Sequence, residues 1–324
     1  MIRLTWRQFR TQALVALGGL LVVAVAVLVT RSHLVHMFGE SAANTPPGTY
    51  DHIVSFLEQA LGYVVLAVPA LIGVFWGAPL VAGELETGTF RVAWTQSVTR
   101  SRWLAVKLGL AGIASIIVAG LFSLLVTWWS GPADSASVNR FDANIFGQRG
   151  ITPMGYALFA FALGVTAGVL IRRVQPAMVS TFVAFIAARL VVTFWVRPHL
   201  WPPAYASLPL TSSEVSLGIL KGTGSSGLRA YASVHIPDAW VHSAQIVDKA
   251  GHVPTDQLLR SVFPNLGTGP ENGGAKLAAI YHVLVAYQPA SRYWLFQGLE
   301  TAVFVAIALV LAGICFWWVR RRLS

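Results

Sequence analysis

The chain has 324 residues, 55% of them hydrophobic and 11% charged, with a formal net charge of +10. A soluble domain carries about 25% charged residues, so a water-soluble globule of this length is excluded and a bilayer protein is indicated. The positive excess is spread over several membrane-flanking segments, which argues against nucleic acid as its partner, and the single cysteine, Cys315, cannot form an intrachain disulfide.

In chain order, residues 1–12, MIRLTWRQFRTQ, place Ile2, Trp6 and Phe9 at i, i+4, i+7 and repeat that spacing with Arg3, Arg7 and Arg10. The pattern predicts a short interfacial helix, aromatic side in lipid and arginines at anionic headgroups. A transmembrane helix needs roughly 20 mostly apolar residues. Six runs qualify: 13–30, 60–82, 104–129, 153–171, 176–196 and 293–319. Three arginines before the first run resemble a signal peptide, but no small-residue cleavage site follows closely, so it is read as a retained span. The loop 31–59 contains Pro46, Pro47 and Gly48, a turn signal. His33 and His36 lie three apart there without a third nearby ligand, so no metal site is assigned. Between spans four and five only RRVQ intervenes, and Pro176 suits the first turn of the fifth helix.

The stretch 197–292 is long. RPHLWPP from Arg197 is incompatible with regular helix. SAQIVDKAGHVPT from Ser243 predicts a strand, a turn and a second short strand. TDQLLRSVF from Thr255 predicts a short capped helix. AKLAAIYHVLVAY, 275–287, predicts an apolar helix too short to span, and Ser291 is the expected N-cap of the sixth span.

Basic residues set the orientation. With the N-terminus inside, the inner segments hold twelve positive charges against Glu84 and Glu86, whereas the outer segments balance ten against ten. That is the positive-inside pattern. Trp128, Trp129, Tyr293, Trp294, Trp317 and Trp318 lie at span ends, where aromatic rings favour the headgroup level. The expected fold is an all-α polytopic membrane protein in the plasma membrane. It has six transmembrane helices, both termini cytoplasmic, and a large extracellular segment between spans five and six. Its organisation is 1–196, a membrane domain with spans one to five; 197–292, the extracellular segment; and 293–324, the sixth span with a basic tail.

Two charges fall within spans, Arg189 in the fifth and Glu300 in the sixth. Each lies roughly 10 Å from the outer end at 1.5 Å per residue. An isolated charge at bilayer depth costs on the order of 2.5–3.5 kcal/mol. Matching depths predict an ion pair between them; a lining of a substrate path is the functional alternative.

The most unusual stretch is 83–103, GELETGTFRVAWTQSVTRSRW, between two apolar runs. Acid, aromatics and base in one short cytoplasmic segment suggest a docking surface, where Trp and Arg commonly anchor. GELETGT and AWTQSVTRSRWLAVKLG resemble the cytoplasmic coupling segment of type-2 ATP-binding-cassette exporter permeases, closest to actinobacterial ones. Glu84, Glu86, Gly88, Thr89, Thr99, Arg100 and Lys107 occupy the motif positions. Arg91 and Trp94 lie between them, and a helix at 89–94 anchored by Trp94 is the expected grip. The stretch before the sixth span is larger than the helical hairpin usual in that family.

The resemblance implies a transport subunit that is not itself an enzyme. Its expected partners are a nucleotide-binding ATPase subunit, which binds ATP and Mg, a second permease copy and the lipid bilayer. The expected cargo is amphipathic or apolar: a drug, an antibiotic, a lipid or a peptide. The chain offers no phosphate loop of its own. The nearest glycine pattern, GPENGG at 269–274, is followed by Ala275 where lysine is required. No catalytic, cofactor or metal residues are assigned. A membrane sensor or scaffold with a ligand-binding outer segment is the alternative reading.

Overall fold

The computed structural model describes residues 14, 18–29, 31, 51–88, 99–134, 140–221, 227–236, 238–263 and 276–321. The interfacial helix expected at 1–12, His33 and His36, and the grip at 89–94 lie outside these residues. The described chain divides into a helical unit and a second unit formed by 139–142 and 201–293.

The helical unit begins with α1, Gly18–Val29, the described part of the first expected span. α2 (Asp51–Ile72) runs through a π-helical turn, Gly73–Gly77, into α3 (Ala78–Thr87). α4 (Arg100–Asp134), a short α5 (Ala143–Phe146) and α6 (Thr152–Ile171) follow. α7 (Val174–Val191) passes through a second π turn, Val192–Val196, into α8 (Arg197–His199). Among the described residues five helical stretches are long and apolar enough to cross a membrane: Gly62–Thr87, Arg100–Trp129, Thr152–Ile171, Val174–His199 and Ala290–Arg321. They coincide with the second to sixth expected spans.

α6 lies at the centre of this unit. Tyr156, Ala157, Phe159, Ala160, Phe161 and Val165 on it are all buried. Lipid tails are as apolar as Leu, so packing of this helix depends on close approach rather than on water exclusion. Glycines supply that approach. A methyl at Gly73 would sit 2.6 Å from the carbonyl oxygen of Ala160, and one at Gly168 2.7 Å from that of Ala78. Backbone therefore lies against backbone where α6 crosses α3 and the first π turn. At the α6–α7 hairpin Arg172 takes a left-handed conformation, φ 59°, and donates its amide to Gly168 O at 3.0 Å.

The helix running out of α7 departs from expectation. RPHLWPP was to break it at once, yet Arg197–His199 stays helical and the break comes only before Pro202. Pro198 follows the second π turn by two residues, and the helix ends one residue after it.

The second unit overturns the all-α expectation. It holds five strands: β1 (Ala204–Pro209), β2 (Val215–Lys221), β3 (Leu228–Val234), β4 (Trp240–Asp248) and β5 (Tyr281–Gln288). β1-β5-β4 form one antiparallel sheet and β2-β3 a second. The segment expected as an apolar helix at 275–287 is largely β5, the central strand. An apolar run of this length does not distinguish buried helix from buried strand by periodicity. Here ladders on both sides satisfy the backbone, and Val283 and Val285 are fully buried in the core with Leu228, Ile246 and Leu259. Of the predicted strand, turn and strand from Ser243, the strand and the turn form: Asp248 O accepts the Gly251 amide and Asp248 Oδ1 accepts those of Ala250 and His252. No second strand follows, because Pro254 removes a donor and Thr255 already caps the next helix.

That helix is α9, Asp256–Val262, with Thr255 Oγ1 accepting the Leu258 amide at 3.4 Å. α10, Tyr293–Arg321, closes the chain. Ser291 is not its cap; it lies inside a 3-10 turn, Ala290–Arg292, that runs straight into α10.

Asp256 ties α9 to β3. Its Oδ1 accepts the Leu228 amide and its Oδ2 accepts Arg260 Nε at 2.9 Å. The Leu228 hydrogen bond, then Arg260, holds its carboxyl below the ordinary aspartate value of 3.8. A depressed folded pKa contributes stability above the unfolded pKa and loses it as pH falls through the folded one. Amide-exchange protection of Leu228 should therefore fall on acidification below about pH 4, and Asp256→Asn should remove that pH dependence. Protection that is flat with pH in the unaltered protein would refute the assignment.

Candidate functional site

Two polar constellations interrupt the apolar helical unit, and they lie at opposite ends of its helices. The first gathers the end of α3, the start of α4, the α6–α7 hairpin and the end of α10. α3 terminates at Gly88, whose φ of 72° is the left-handed conformation that glycine adopts without a Cβ penalty. α4 begins after Thr99, which accepts the Arg102 amide on its side chain at 3.4 Å and the Trp103 amide on its carbonyl at 3.0 Å, as an N-cap does.

Between these termini Lys107 Nζ meets Glu84 Oε1 at 2.5 Å and also donates to Leu80 O at 3.3 Å. Its ammonium stands 4.8 Å from the Trp103 ring centroid. The pair is shielded, with side-chain exposures of 4% for Lys107 and 17% for Glu84, so water screens it weakly. Glu86 Oε2 accepts the backbone amide of Val174, first residue of α7, at 2.9 Å. Arg320 Nε donates to Ser101 Oγ at 3.0 Å, bringing the end of α10 to α4. Thus both acids of the 83–103 stretch are engaged inside the chain. One braces α3 against α4 and the other braces α3 against α7. Thr89, Arg91 and Trp94 lie outside the described residues, between the braced ends.

The second constellation is buried between α6, α7, α8 and α10. Glu300 is completely buried. Arg197 Nε donates to its Oε2 at 2.7 Å and Arg197 Nη2 to its Oε1 at 3.0 Å. Tyr156 OH donates to the same Oε1. The Arg197 guanidinium also lies 4.2 Å from the Phe146 ring centroid. One turn earlier on α10, Gln297 Oε1 accepts the amides of Ile151 and Thr152, each at 3.1 Å, while Nε2 donates to Phe146 O at 3.0 Å. α6 has no side-chain cap of its own at Ile151; Gln297 supplies it from another helix.

The expected Arg189–Glu300 pair is thereby corrected. Glu300 takes Arg197, and Arg189 instead places its guanidinium 3.9 Å from the Tyr156 ring centroid. The cause is the π turn between them. Eight residues of regular helix end ~80° out of register. A π turn absorbs one extra residue, so Arg189 and Arg197 both face Tyr156. Sequence reasoning missed Arg197 because Pro198 and the prolines beyond it marked that position as loop. It missed Tyr156 because an aromatic inside an apolar run carries no polar signal. The spacing of Gln297 and Glu300, three apart on one helix face, was the available hint.

Aromatic residues of the spans separate by exposure. Trp76, Phe122 and Phe185 are core, while Phe75, Phe182 and Phe194 face outward. Trp129 is buried rather than at a surface, whereas Trp128 and Trp294 are exposed. Among the described residues no three His, Cys, Asp or Glu side chains gather as a metal site.

A family model described as ABC-2 membrane transporter related matches residues 17–197, more than half of the chain. The chain belongs to that family. It is accordingly a multi-pass membrane permease of the ABC transporter type, the membrane-embedded part of a transport system. The matched region runs from the first apolar run to Arg197, so it contains Glu84, Glu86 and Lys107, Tyr156 and Arg189, and stops short of Glu300 and Arg320. No curated protein and no solved structure matches this permease.

Proposed function

We propose that this permease is the membrane subunit of an exporter for an amphipathic or apolar substrate, driven by a separate ATPase subunit docked on residues 83–103. Two copies pair in the plasma membrane, with both termini and the braced end on the cytoplasmic side. Family membership carries this reading. The distribution of basic residues supports the orientation. The absence of ionisable groups along most of the spans fits a cargo that needs no ion coordination.

In this reading the coupling residues divide into two roles. Glu84 and Glu86 are occupied within the chain, so docking falls to the intervening stretch with Arg91 and Trp94. Glu84–Lys107 and Glu86–Val174 then convert a push on that stretch into joint movement of α3, α4 and α7. Docking and transmission therefore separate by mutation. Trp94→Ala should abolish co-purification of the ATPase through detergent. Glu84→Gln should leave co-purification intact and lower substrate moved per ATP about tenfold, the effect of losing one shielded charge-assisted hydrogen bond. The exchange Glu84→Lys with Lys107→Glu should restore part of the transport. Full retention of the ATPase by Trp94→Ala would exclude this segment as the dock.

A further inference from the structure

Among the described residues the guanidinium of Arg189 has a buried nitrogen and no counter-ion. Glu300 is spent on Arg197 and Tyr156. Arg189 makes no ion pair among the described residues, and its Nη1 is buried without a hydrogen-bond partner. Its contacts are the face of Tyr156 and the backbone of Gly147, where a methyl would fall 2.7 Å from Nη2 and 3.1 Å from Nη1. Space for this cation exists because position 147 has no side chain. A buried donor left unpaired costs free energy, and an Arg within a span normally faces a partner.

The surface beside it indicates the class of that partner. Phe182, Ile186 and Arg189 share one face of α7 at i, i+4, i+7. Phe182 is 50% and Ile186 40% exposed. A cation thus heads an apolar stripe on a helix that crosses the membrane. Arg189 lies fifteen residues beyond Val174, ~22 Å along the helix. In a hydrocarbon core of about 30 Å, a long side chain at that height reaches headgroup level.

We propose that Arg189 is the headgroup ligand of an anionic phospholipid. The edge of the guanidinium that carries Nε and Nη2 engages the phosphodiester in two parallel hydrogen bonds, Nη1 being enclosed, and an acyl chain lies along Ile186 and Phe182. The proposal needs only a polytopic membrane protein and is independent of the ATPase and of the cargo.

The full-length protein, purified in detergent, is titrated with dioleoyl phosphatidylglycerol, dioleoyl phosphatidylcholine and inorganic phosphate, and bound species are resolved by native mass spectrometry. Phosphatidylglycerol should bind about fivefold more tightly than phosphatidylcholine. Arg189→Gln should abolish that preference, and Arg189→Lys, a point charge without the fork, should keep part of it. A preference unchanged in Arg189→Gln overturns the proposal. Displacement of phosphatidylglycerol by millimolar inorganic phosphate also overturns it, assigning the site to a free anion. Should the variants not fold, phenylglyoxal labelling of Arg189 in the unaltered protein decides: slower labelling in phosphatidylglycerol nanodiscs than in phosphatidylcholine supports the lipid, and equal labelling refutes it.

Discussion

Glu300→Ala should destabilise the helical unit by about 3–5 kcal/mol, the cost of removing one partner from a buried ion pair. The carboxylate is completely buried and receives three donors, two from Arg197 and one from Tyr156. Deleting it leaves Arg197, 1% exposed, without its carboxylate and adds a second uncompensated cation beside Arg189. Water enters slowly at such a site, and the hydrocarbon around it offers no substitute hydrogen bonds. The double variant Arg197→Met with Glu300→Leu should recover most of the loss, because an apolar pair of similar volume avoids the desolvation of both ions. Reversible unfolding in mixed micelles measures both. A loss below about 1 kcal/mol for Glu300→Ala, or a double variant as unstable as the sum of the singles, would show that the pair does not hold α8 to α10.

Gly164→Val is expected to be nearly as damaging, by a different route. An added Cβ at Gly164 would lie 2.7 Å from the Ala78 amide nitrogen and 3.0 Å from the Gly77 carbonyl carbon. Both are backbone atoms, which cannot swing aside as a side chain does. α6 must then move away from α3 and the first π turn, and it takes Gly168 and its contact with Ala78 O along. Overpacking of this kind costs typically 1–3 kcal/mol, and more where the backbone has to shift. Gly112→Ala is the matched control. Its nearest neighbours would be side-chain atoms of Leu158 and Phe161 at 3.6 Å, an ordinary contact. It should be neutral, or stabilising by about 0.5–1 kcal/mol through the helix preference of alanine. Equal stability of Gly164→Val and Gly112→Ala in the same unfolding assay would remove the close helix crossing as a source of stability.

The two π turns connect these results. The first carries Gly73 and Gly77 to the backbone of α6, and the second turns Arg197 onto Glu300. π turns inside helices frequently mark functional positions, and here each one sets which residues of a span meet a neighbour.

How much of this was legible beforehand differs from element to element. Five apolar helices could be located from composition and length, because a bilayer demands about twenty apolar residues whatever the neighbours are. The short helix α9 was legible because its cap is local, Thr255 reaching the Leu258 amide. The 83–103 stretch could be recognised as distinctive, since charge between apolar runs is visible in one dimension. That Glu84 meets Lys107 and Glu86 meets the start of α7 was not, because neither partner is set by spacing along one helix.

What the sequence determined by itself was therefore whatever depends on residue type and near neighbours: membrane residence, span positions, local caps and the excess of base over acid. Tertiary structure alone decided the rest. β5 became a strand because two neighbouring strands completed its hydrogen bonds, Gln297 capped a helix 145 residues away in the chain from Thr152, and Glu300 chose Arg197 because a π turn rotated it into place. Each of these choices satisfies a buried polar group, and where the satisfying partner is distant in sequence only the folded chain brings it within reach.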